Sequence, residues 1–203
     1  MKILKIITSA FFICLCTGVN AEEYTFGSVG YTKHIAGDPH DAGGTTYYND
    51  PEENGAAFGF GFGTKSDGFG SDVEITYYPK VSNKIAAGMT ADVSTLATLS
   101  NFYMMPNIGG TSNLMIGGGV GFAYTTVDTN YSLSGVTFSK EETQFTPAYQ
   151  FLIGYDLDKV QVVYKVSNFG EVKGGSGNAS NGAAYGSDEF DNKYHSINLR
   201  FPF

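Results

Sequence analysis

The chain has 203 residues, with 20 Asp and Glu against 12 Lys and Arg, and its net charge is −8. This length is that of one domain, and the acidic balance argues against a nucleic-acid partner, because nucleic-acid phosphates attract basic surfaces. The chain contains 27 Gly, 14 Tyr and 16 Phe but six Pro, a composition typical of strands and turns rather than helices.

The first predicted element is a signal peptide. A basic start at Lys2 and Lys5 precedes an apolar run over residues 6–15, and small residues then lead up to Ala21. This order is that of a secretory signal, and we expect cleavage between Ala21 and Glu22. An uncleaved membrane anchor is the alternative, and it is disfavoured because the apolar run is short for a spanning helix.

Cleavage at this position removes both cysteines. Cys14 and Cys16 lie within residues 1–21, so the mature domain, residues 22–203, is expected to contain no disulfide and no thiol chemistry. Its 10 Lys and Arg against 20 Asp and Glu give a net charge of −10. No later segment approaches the ~20 apolar residues of a spanning helix, so a membrane role requires strands.

Alternation along the chain predicts strands. The most distinct signal covers residues 57–63, where phenylalanines at every second position alternate with small residues, mostly glycines. After a turn near 66–70, apolar and polar residues alternate over 72–78, which completes a hairpin. Strands over 24–33 and within 91–105 are also predicted, although the sequence leaves their facing open.

The second half of the chain shows the same alternation. It recurs over residues 114–124 and 145–155, and then over 160–167 after a tight polar turn at 156–159. The last strand covers 196–203 and tolerates a proline only because it lies near the strand end. The predicted total is eight strands.

The connections between these strands alternate in length. Long ones are expected at 35–54, 128–142 and 170–192, with a shorter one near 79–84. The turns near 66–70, 106–113 and 156–159 form the opposite set. Because both termini lie on the short-turn side, four loops are expected outside the cell and three turns in the periplasm.

We therefore predict an all-β fold, an eight-stranded antiparallel up-and-down transmembrane β-barrel. A soluble β-sandwich would show the same alternation, with its apolar rows buried between two sheets. The polarity of the opposite rows and the aromatic residues near strand ends favour a barrel with its apolar face turned to lipid.

The chain resembles the outer membrane protein β-barrel domain family, small eight-stranded barrels related to opacity proteins, bacterial surface antigens and the OmpA membrane domain. The resemblance spans residues 22–203. It implies surface exposure, adhesion, immune recognition or membrane integrity, and it implies no cofactor. The segments that carry it are DGFGSDVEITYY at 67–78, VSTLATLSNFYMM at 93–105, IGGGVGFAY at 116–124, FTPAYQFLIGYDLDKVQVVYKVSNFG at 145–170 and YHSINLRFPF at 194–203.

The final strand has its own resemblance. Ile197, Leu199, Phe201 and Phe203 form an alternating apolar row that ends on an aromatic residue. This row resembles the carboxy-terminal signal recognised by the barrel-assembly machinery, which makes that machinery an implied partner.

Three charged residues are expected to meet inside the barrel. Glu74 lies on the polar face of the third strand, and Lys165 and Arg200 lie on the polar faces of the seventh and eighth. A barrel of ~8 strands is filled by side chains, and a buried charge requires a partner. The cluster could gate a narrow pore or simply fill the lumen, and the second interpretation is favoured.

Other candidate chemistry is weak. His195 and Ser196 are residue types that a lipid-A hydrolase or acyltransferase would use, but neighbours on a strand point to opposite faces. The glycines of 59–66 and 117–121 lack nucleotide-binding spacing. Acidic residues in the first and last loops, from Asp38 to Glu53 and from Asp188 to Asp191, could hold a divalent cation against lipopolysaccharide, although a solvated acidic surface is favoured.

The expected function is that of a non-enzymatic outer-membrane surface protein, an adhesin, surface antigen or envelope-stabilising barrel. Partners are expected at the extracellular loops and include outer-membrane lipid, lipopolysaccharide and a host surface or matrix protein. A narrow pore or a transporter of small apolar molecules is the alternative, and a lipid-A-modifying enzyme is less favoured.

Overall fold

A computed structural model describes residues 21–41, 51–66, 68–86, 88–107, 113–182, 184–185 and 188–203. The predicted signal peptide lies outside these residues except for Ala21, and the first strand begins at Glu22. The described residues contain no helix that is long and apolar enough to cross a membrane.

The fold is a closed antiparallel barrel of eight strands, as predicted. Neighbouring strands follow chain order, and β1 closes the barrel by pairing with the last strand. A separate two-stranded sheet, β8 with β9, lies in the last connection. The strands are β1 (Glu22–Asp41), β2 (Glu52–Ser66), β3 (Phe69–Ala86), β4 (Met89–Met104), β5 (Leu114–Leu133), β6 (Val136–Asp156), β7 (Gln161–Lys173), β8 (Gly177–Asn178), β9 (Ala184–Tyr185) and β10 (Asp188–Pro202).

Alternation along each strand separates an inward row from an outward row. On β3, Ile75 and Tyr77 are exposed, whereas Glu74 and Thr76, which alternate with them, are buried. Large apolar side chains stay exposed around the whole barrel, on strands that are otherwise well packed. The exposed set includes Val29, Tyr31, Phe58, Phe60, Leu96, Phe102, Val120, Tyr124, Phe145, Tyr149, Phe151, Val162, Val166, Ile197, Leu199 and Phe201. This is the outward apolar belt of a barrel in lipid.

The structure determines the facing of the two strands that the sequence left open. On β1, Tyr24 and Phe26 point into the lumen, and Val29 and Tyr31 point outward. On β4, Leu99 and Tyr103 point inward, whereas Leu96, Phe102 and Met104 point outward.

Two of the predicted outer loops are wrong, because residues 79–84 and, apart from the turn at 134–135, residues 128–142 belong to strands. The strands around the other two outer connections also reach further than predicted, to Asp41 on β1 and Lys173 on β7, and β10 begins at Asp188. The β5–β6 hairpin turns tightly at Ser134 and Gly135, both at positive φ. The outer wall therefore extends well beyond the apolar belt.

A proline accounts for the error at 79–84. Pro79 has no N–H to donate, which disfavours a place inside a paired sheet. The β2–β3 ladder, however, ends at Phe58 and Tyr77, so no donor is needed there. On the other side, a register shift between Tyr78 and Val81 accommodates the proline while β3 stays paired with β4.

Polarity accounts for the error at 128–142. Most outward side chains of this segment are polar, which is typical of a loop. Val127, Thr129 and Phe138 nevertheless continue the buried inward row. Beyond the belt the outward face meets water rather than lipid, so polar residues there are compatible with a strand.

Candidate functional site

The structure brings Glu74, Lys165 and Arg200 together in the lumen. The Lys165 ammonium donates to both Glu74 carboxylate oxygens at 2.6 Å. Arg200 donates from Nη2 to Glu74 at 2.6 Å and from Nη1 to Asp72 at 3.0 Å. These four side chains carry two positive and two negative charges, so the cluster is neutral when all are ionised.

Asp72 was not predicted as a member of this cluster. It lies two residues before Glu74 on the same inward row, and this period of two was the signal that could have identified it. Asp72 accepts hydrogen bonds from the Asn101 amide at 2.6 Å and from the Tyr24 hydroxyl at 3.2 Å. It therefore joins the charged cluster to a neutral network that begins on the adjacent strand β4.

That neutral network continues around the barrel. The Gln150 amide donates to Asn101 Oδ1 at 2.6 Å, and the Ser167 hydroxyl donates to Gln150 Oε1 at 3.2 Å. The hydroxyls of Tyr24 and Tyr103 lie 2.5 Å apart. Three strands beyond those of the predicted trio, β1, β4 and β6, thus help to hold the charges, which a buried ionic cluster requires.

Small residues on β2 leave room for this cluster. A Cβ atom at Gly59 would lie 2.3 Å from Ser28 Oγ, and one at Gly61 would lie 2.4 Å from the Phe26 ring. The Phe26 ring in turn lies 4.4 Å from the Arg200 guanidinium, in a cation–π arrangement. The glycines that alternate with phenylalanines on β2 therefore accommodate Phe26 and, through it, Arg200.

Apolar side chains fill the lumen on both sides of the charges. Towards the short turns lies a group that includes Met115 and Leu152. Towards the outer end lie an aromatic group around Tyr78, Phe169 and Tyr194 and then a second apolar group, which comprises Ala36, Val81, Ile85, Ala91, Val93, Val127, Val172 and Phe190. Lys165 and Glu74 are at most 1% exposed, so the middle of the lumen is closed to solvent.

His195 and Ser196 lie on opposite faces of β10. The Tyr164 hydroxyl and His195 Nδ1 lie 2.8 Å apart on the outward-facing surface of the barrel. Ser196 is buried in the lumen, where its hydroxyl accepts from the Asn198 amide at 2.7 Å. The two side chains do not form a dyad.

An ion-pair cluster lies on the outer wall above the belt, near the first and last outer connections. Potential ligand atoms of His40, Glu171 and Glu189 lie within 4.8 Å of one another. Lys173 already pairs with Glu189 at 2.5 Å, and this bond lowers the pKa of Glu189. A hydrogen bond to the Asp38 carbonyl raises the pKa of His40, and the charges of Glu189 and Glu171 add to this effect.

The predicted assembly signal forms the last outward row of β10. Ile197, Leu199, Phe201 and Phe203 are all exposed. The backbone remains paired to the end, since Pro202 lies opposite Phe26 and the Phe203 N–H donates to the Thr25 carbonyl at 2.9 Å.

Comparison with known proteins supports this architecture through structure rather than sequence. No protein-family model matches the chain, and no curated protein matches it significantly. Among solved structures, the outer membrane protein OprG from Pseudomonas aeruginosa is similar with a TM-score of 0.60 and 16% identity, covering 89% of this chain and 96% of that one. The chain has the fold of these eight-stranded outer-membrane β-barrels.

Two further structures agree with that fold. The outer membrane protein AlkL, solved in lipid bilayers, gives a TM-score of 0.54 at 13% identity, covering 92% of this chain and 93% of AlkL. The attachment invasion locus protein Ail of Yersinia pestis gives 0.53 at 9% identity, covering 89% of this chain and 99% of Ail. At these identities the likeness shows the fold alone.

This architecture predicts heat-modifiable migration. A closed, hydrogen-bonded barrel resists detergent until it is heated, so unheated protein should migrate differently from boiled protein on a gel. The protein should also fractionate with outer membranes. Recovery from the soluble periplasm without a mobility shift would contradict the barrel.

Proposed function

We propose that this outer-membrane barrel is a non-enzymatic surface protein that contacts its partners through its outer hairpins and loops. The observation that carries the proposal is the extended outer wall, in which polar strands continue past the apolar belt on β3 to β6. A barrel that served the lipid phase alone would need no such extension. The closed lumen supports a role outside the barrel rather than through it.

The structural neighbours are compatible with this role. One structure of Ail is a complex with the heparin analogue sucrose octasulfate, so a barrel of the same fold can bind a ligand from outside the membrane. Lipopolysaccharide surrounds any outer-membrane barrel and is a further proposed partner. The barrel-assembly machinery is proposed to insert the chain through its last strand.

Replacing residues 174–187 by a short turn tests the surface role. The protein would be produced in a non-adherent Gram-negative strain, and binding of these bacteria to epithelial cells and to immobilised matrix proteins would be measured. We expect the intact protein to raise binding and the replacement to remove most of that increase. A control replacement in the inner turn at 157–159 should leave binding unchanged.

Equal binding by bacteria with the intact protein, with the replacement and with no protein would contradict adhesion. Heat-modifiable migration of each variant would show that the barrel had folded, so that lost binding could be assigned to the outer segment.

A break in the barrel wall favours transport of small apolar molecules as the second candidate function. The β6–β7 ladder ends at Tyr149 and Asn168, although both strands continue outward. Pro147 and Gly170, at φ 78°, lie at the break. Above it the Gln144 side chain bridges the strands through two hydrogen bonds to the Lys173 backbone, at 2.6 and 3.0 Å.

Two measurements separate this candidate from a closed surface protein. A lumen filled by a neutral ionic cluster should give little or no current in planar bilayers. If apolar molecules instead pass sideways through the break between β6 and β7, Gln144→Ala should raise uptake of an apolar fluorescent probe. Unchanged uptake, equal to that of cells without the protein, would remove the transport candidate.

A further inference from the structure

The outer end of the barrel carries a cleft of about 900 Å³. It lies where three segments meet, the β3–β4 hairpin, the β5–β6 hairpin and the last outer connection around β8. Its size is within the range of small-molecule sites. Most of its side chains share a hydroxyl or amide group, among them Thr90, Asn130, Ser132, Thr137, Ser139 and Asn178.

Hydrogen bonds hold the walls of this cleft together. The Ser132 N–H donates to the Gly88 carbonyl at 2.7 Å and joins the two hairpins. The Ser180 N–H donates to the Thr137 carbonyl at 2.9 Å, and the Thr137 N–H donates back to Ser180 Oγ at 3.0 Å. These bonds form the cleft before any ligand arrives, which reduces the entropy cost of binding.

Two further contacts pack the last connection against β6. The Lys140 ammonium donates to the Ser176 carbonyl at 3.0 Å. Gly177 lies over Phe138, where an added Cβ would be 3.1 Å from the ring. Aromatic side chains at Tyr131 and Phe138, opposite each other on β5 and β6, thus contribute to the cleft beside the polar groups.

The charge of the cleft is opposite to that of the chain. Lys84 and Lys140 are the charged residues among its described lining, which contains no Asp or Glu, whereas the chain has a net charge of −8. Lys84 is exposed and has no ion-pair partner among the described residues. Lys140 lies 3.6 Å from Glu142 at the surface, where such a pair is weak.

We propose that this cleft binds an anionic saccharide. Hydroxyl and amide groups both donate and accept hydrogen bonds, as sugar hydroxyls require, and the partly exposed Tyr131 ring offers an apolar surface to the carbon face of a sugar, whereas Phe138 is buried beneath Gly177. The two lysines supply point charges for sulfate or carboxylate groups.

The position of the cleft indicates a saccharide from outside the cell. On β5, Tyr131 lies seven residues beyond Tyr124, the last exposed aromatic residue of the belt on that strand. At ~3.3 Å per residue this places Tyr131 ~23 Å beyond the belt along the strand, and somewhat less in height because barrel strands are tilted by ~35–45°. The inference rests on the proposed surface function and names the ligand class for it.

A binding experiment tests the proposal with the folded protein in detergent. Isothermal titration would compare a sulfated hexasaccharide, its desulfated form, a polyphosphate of equal charge and the lipopolysaccharide core oligosaccharide. We expect the sulfated hexasaccharide to bind at least tenfold more tightly than the other three. The double variant Lys84→Gln/Lys140→Gln should weaken its binding at least tenfold.

A matched control removes the same charge elsewhere on the outer wall. Lys33 and Lys193 are partly exposed and pair with Glu52 and Asp191. The double variant Lys33→Gln/Lys193→Gln should bind the sulfated hexasaccharide as the unaltered protein does. Heat-modifiable migration would verify that both double variants are folded.

Several results would overturn the proposal. They are no binding of the sulfated hexasaccharide, equal weakening by the control variant, equal affinity for the polyphosphate, or preference for the core oligosaccharide. If cell binding is lost on replacing residues 174–187 but the hexasaccharide does not bind, the surface function stands and the saccharide assignment fails. If the replacement does not lower cell binding and the Lys84→Gln/Lys140→Gln variant does not weaken hexasaccharide binding, both the surface function and the saccharide assignment are contradicted.

Discussion

Glu74→Gln is expected to lower the free energy of barrel unfolding by ~3 kcal/mol or more, because removing one partner of a buried ion pair leaves uncompensated charge. Glu74 accepts from both Lys165 and Arg200 at 2.6 Å. A neutral amide would leave two cations facing one remaining carboxylate, that of Asp72. Urea unfolding of the protein in lipid vesicles, followed by gel mobility, would measure the change.

Lys33→Gln is the control for this prediction. Lys33 pairs with Glu52 at the surface, where an ion pair contributes ~0–1 kcal/mol. The double variant Glu74→Gln/Lys165→Gln restores neutrality and should cost less than the sum of its single variants. A Glu74→Gln barrel as stable as the Lys33→Gln barrel would show that the cluster is not important for stability.

The alternation of inward and outward residues along each strand was enough to predict most of the charge cluster in the lumen. A period of two assigned Glu74, Lys165 and Arg200 to inward rows, and a closed barrel forces such rows to meet. Partner choice was beyond the sequence, because it depends on which strands face each other across the lumen and at what height. Asp72 meets Arg200 of β10, a strand that is not its neighbour, for this reason. Asn101 is instead the register partner of Asp72 on β4, a strand whose facing the sequence left open.

The facing of β1 shows a second limit. Tyr24 and Phe26 are large and aromatic, which in isolation indicates the lipid-facing row of a membrane barrel. They point inward because Gly61 on the neighbouring strand leaves space for the Phe26 ring, and because the Tyr24 hydroxyl reaches Asp72. The side-chain volume on the adjacent strand therefore decides which way the aromatic residues of β1 face. The residue pattern of β1 alone does not contain this information.

Strand number was predictable, whereas strand length was not. Each apolar outward row ends where the belt ends, so the pattern stops there even when the backbone continues. On β5 and β6 the ladder runs on to Leu133 and Val136, supported by inward residues such as Val127. The outer cleft was invisible to sequence patterns for the same reason, since it forms between the extended hairpins and a connection folded against them.

Phe203→Ser is expected to reduce the amount of folded protein in the outer membrane severalfold. The Phe203 side chain is 77% exposed at the end of the outward row of β10, so its removal leaves no cavity in the barrel. The backbone bonds that close β10 against β1 remain available, because the Phe203 N–H donates to the Thr25 carbonyl at 2.9 Å whatever the side chain. The expected loss is therefore one of recognition during assembly rather than of stability.

Two comparisons isolate that step. Purified Phe203→Ser protein should refold into lipid vesicles as well as the unaltered protein, since no assembly machinery is present there. Leu157→Ser, which removes a 52% exposed apolar side chain from an inner turn, should leave outer-membrane levels normal. Deleting Phe203 should be more severe in cells, because it also removes the hydrogen bond from the Thr25 hydroxyl to the Phe203 carbonyl at 2.8 Å. Normal outer-membrane levels of Phe203→Ser would show that the terminal aromatic residue is not part of an assembly signal in this chain.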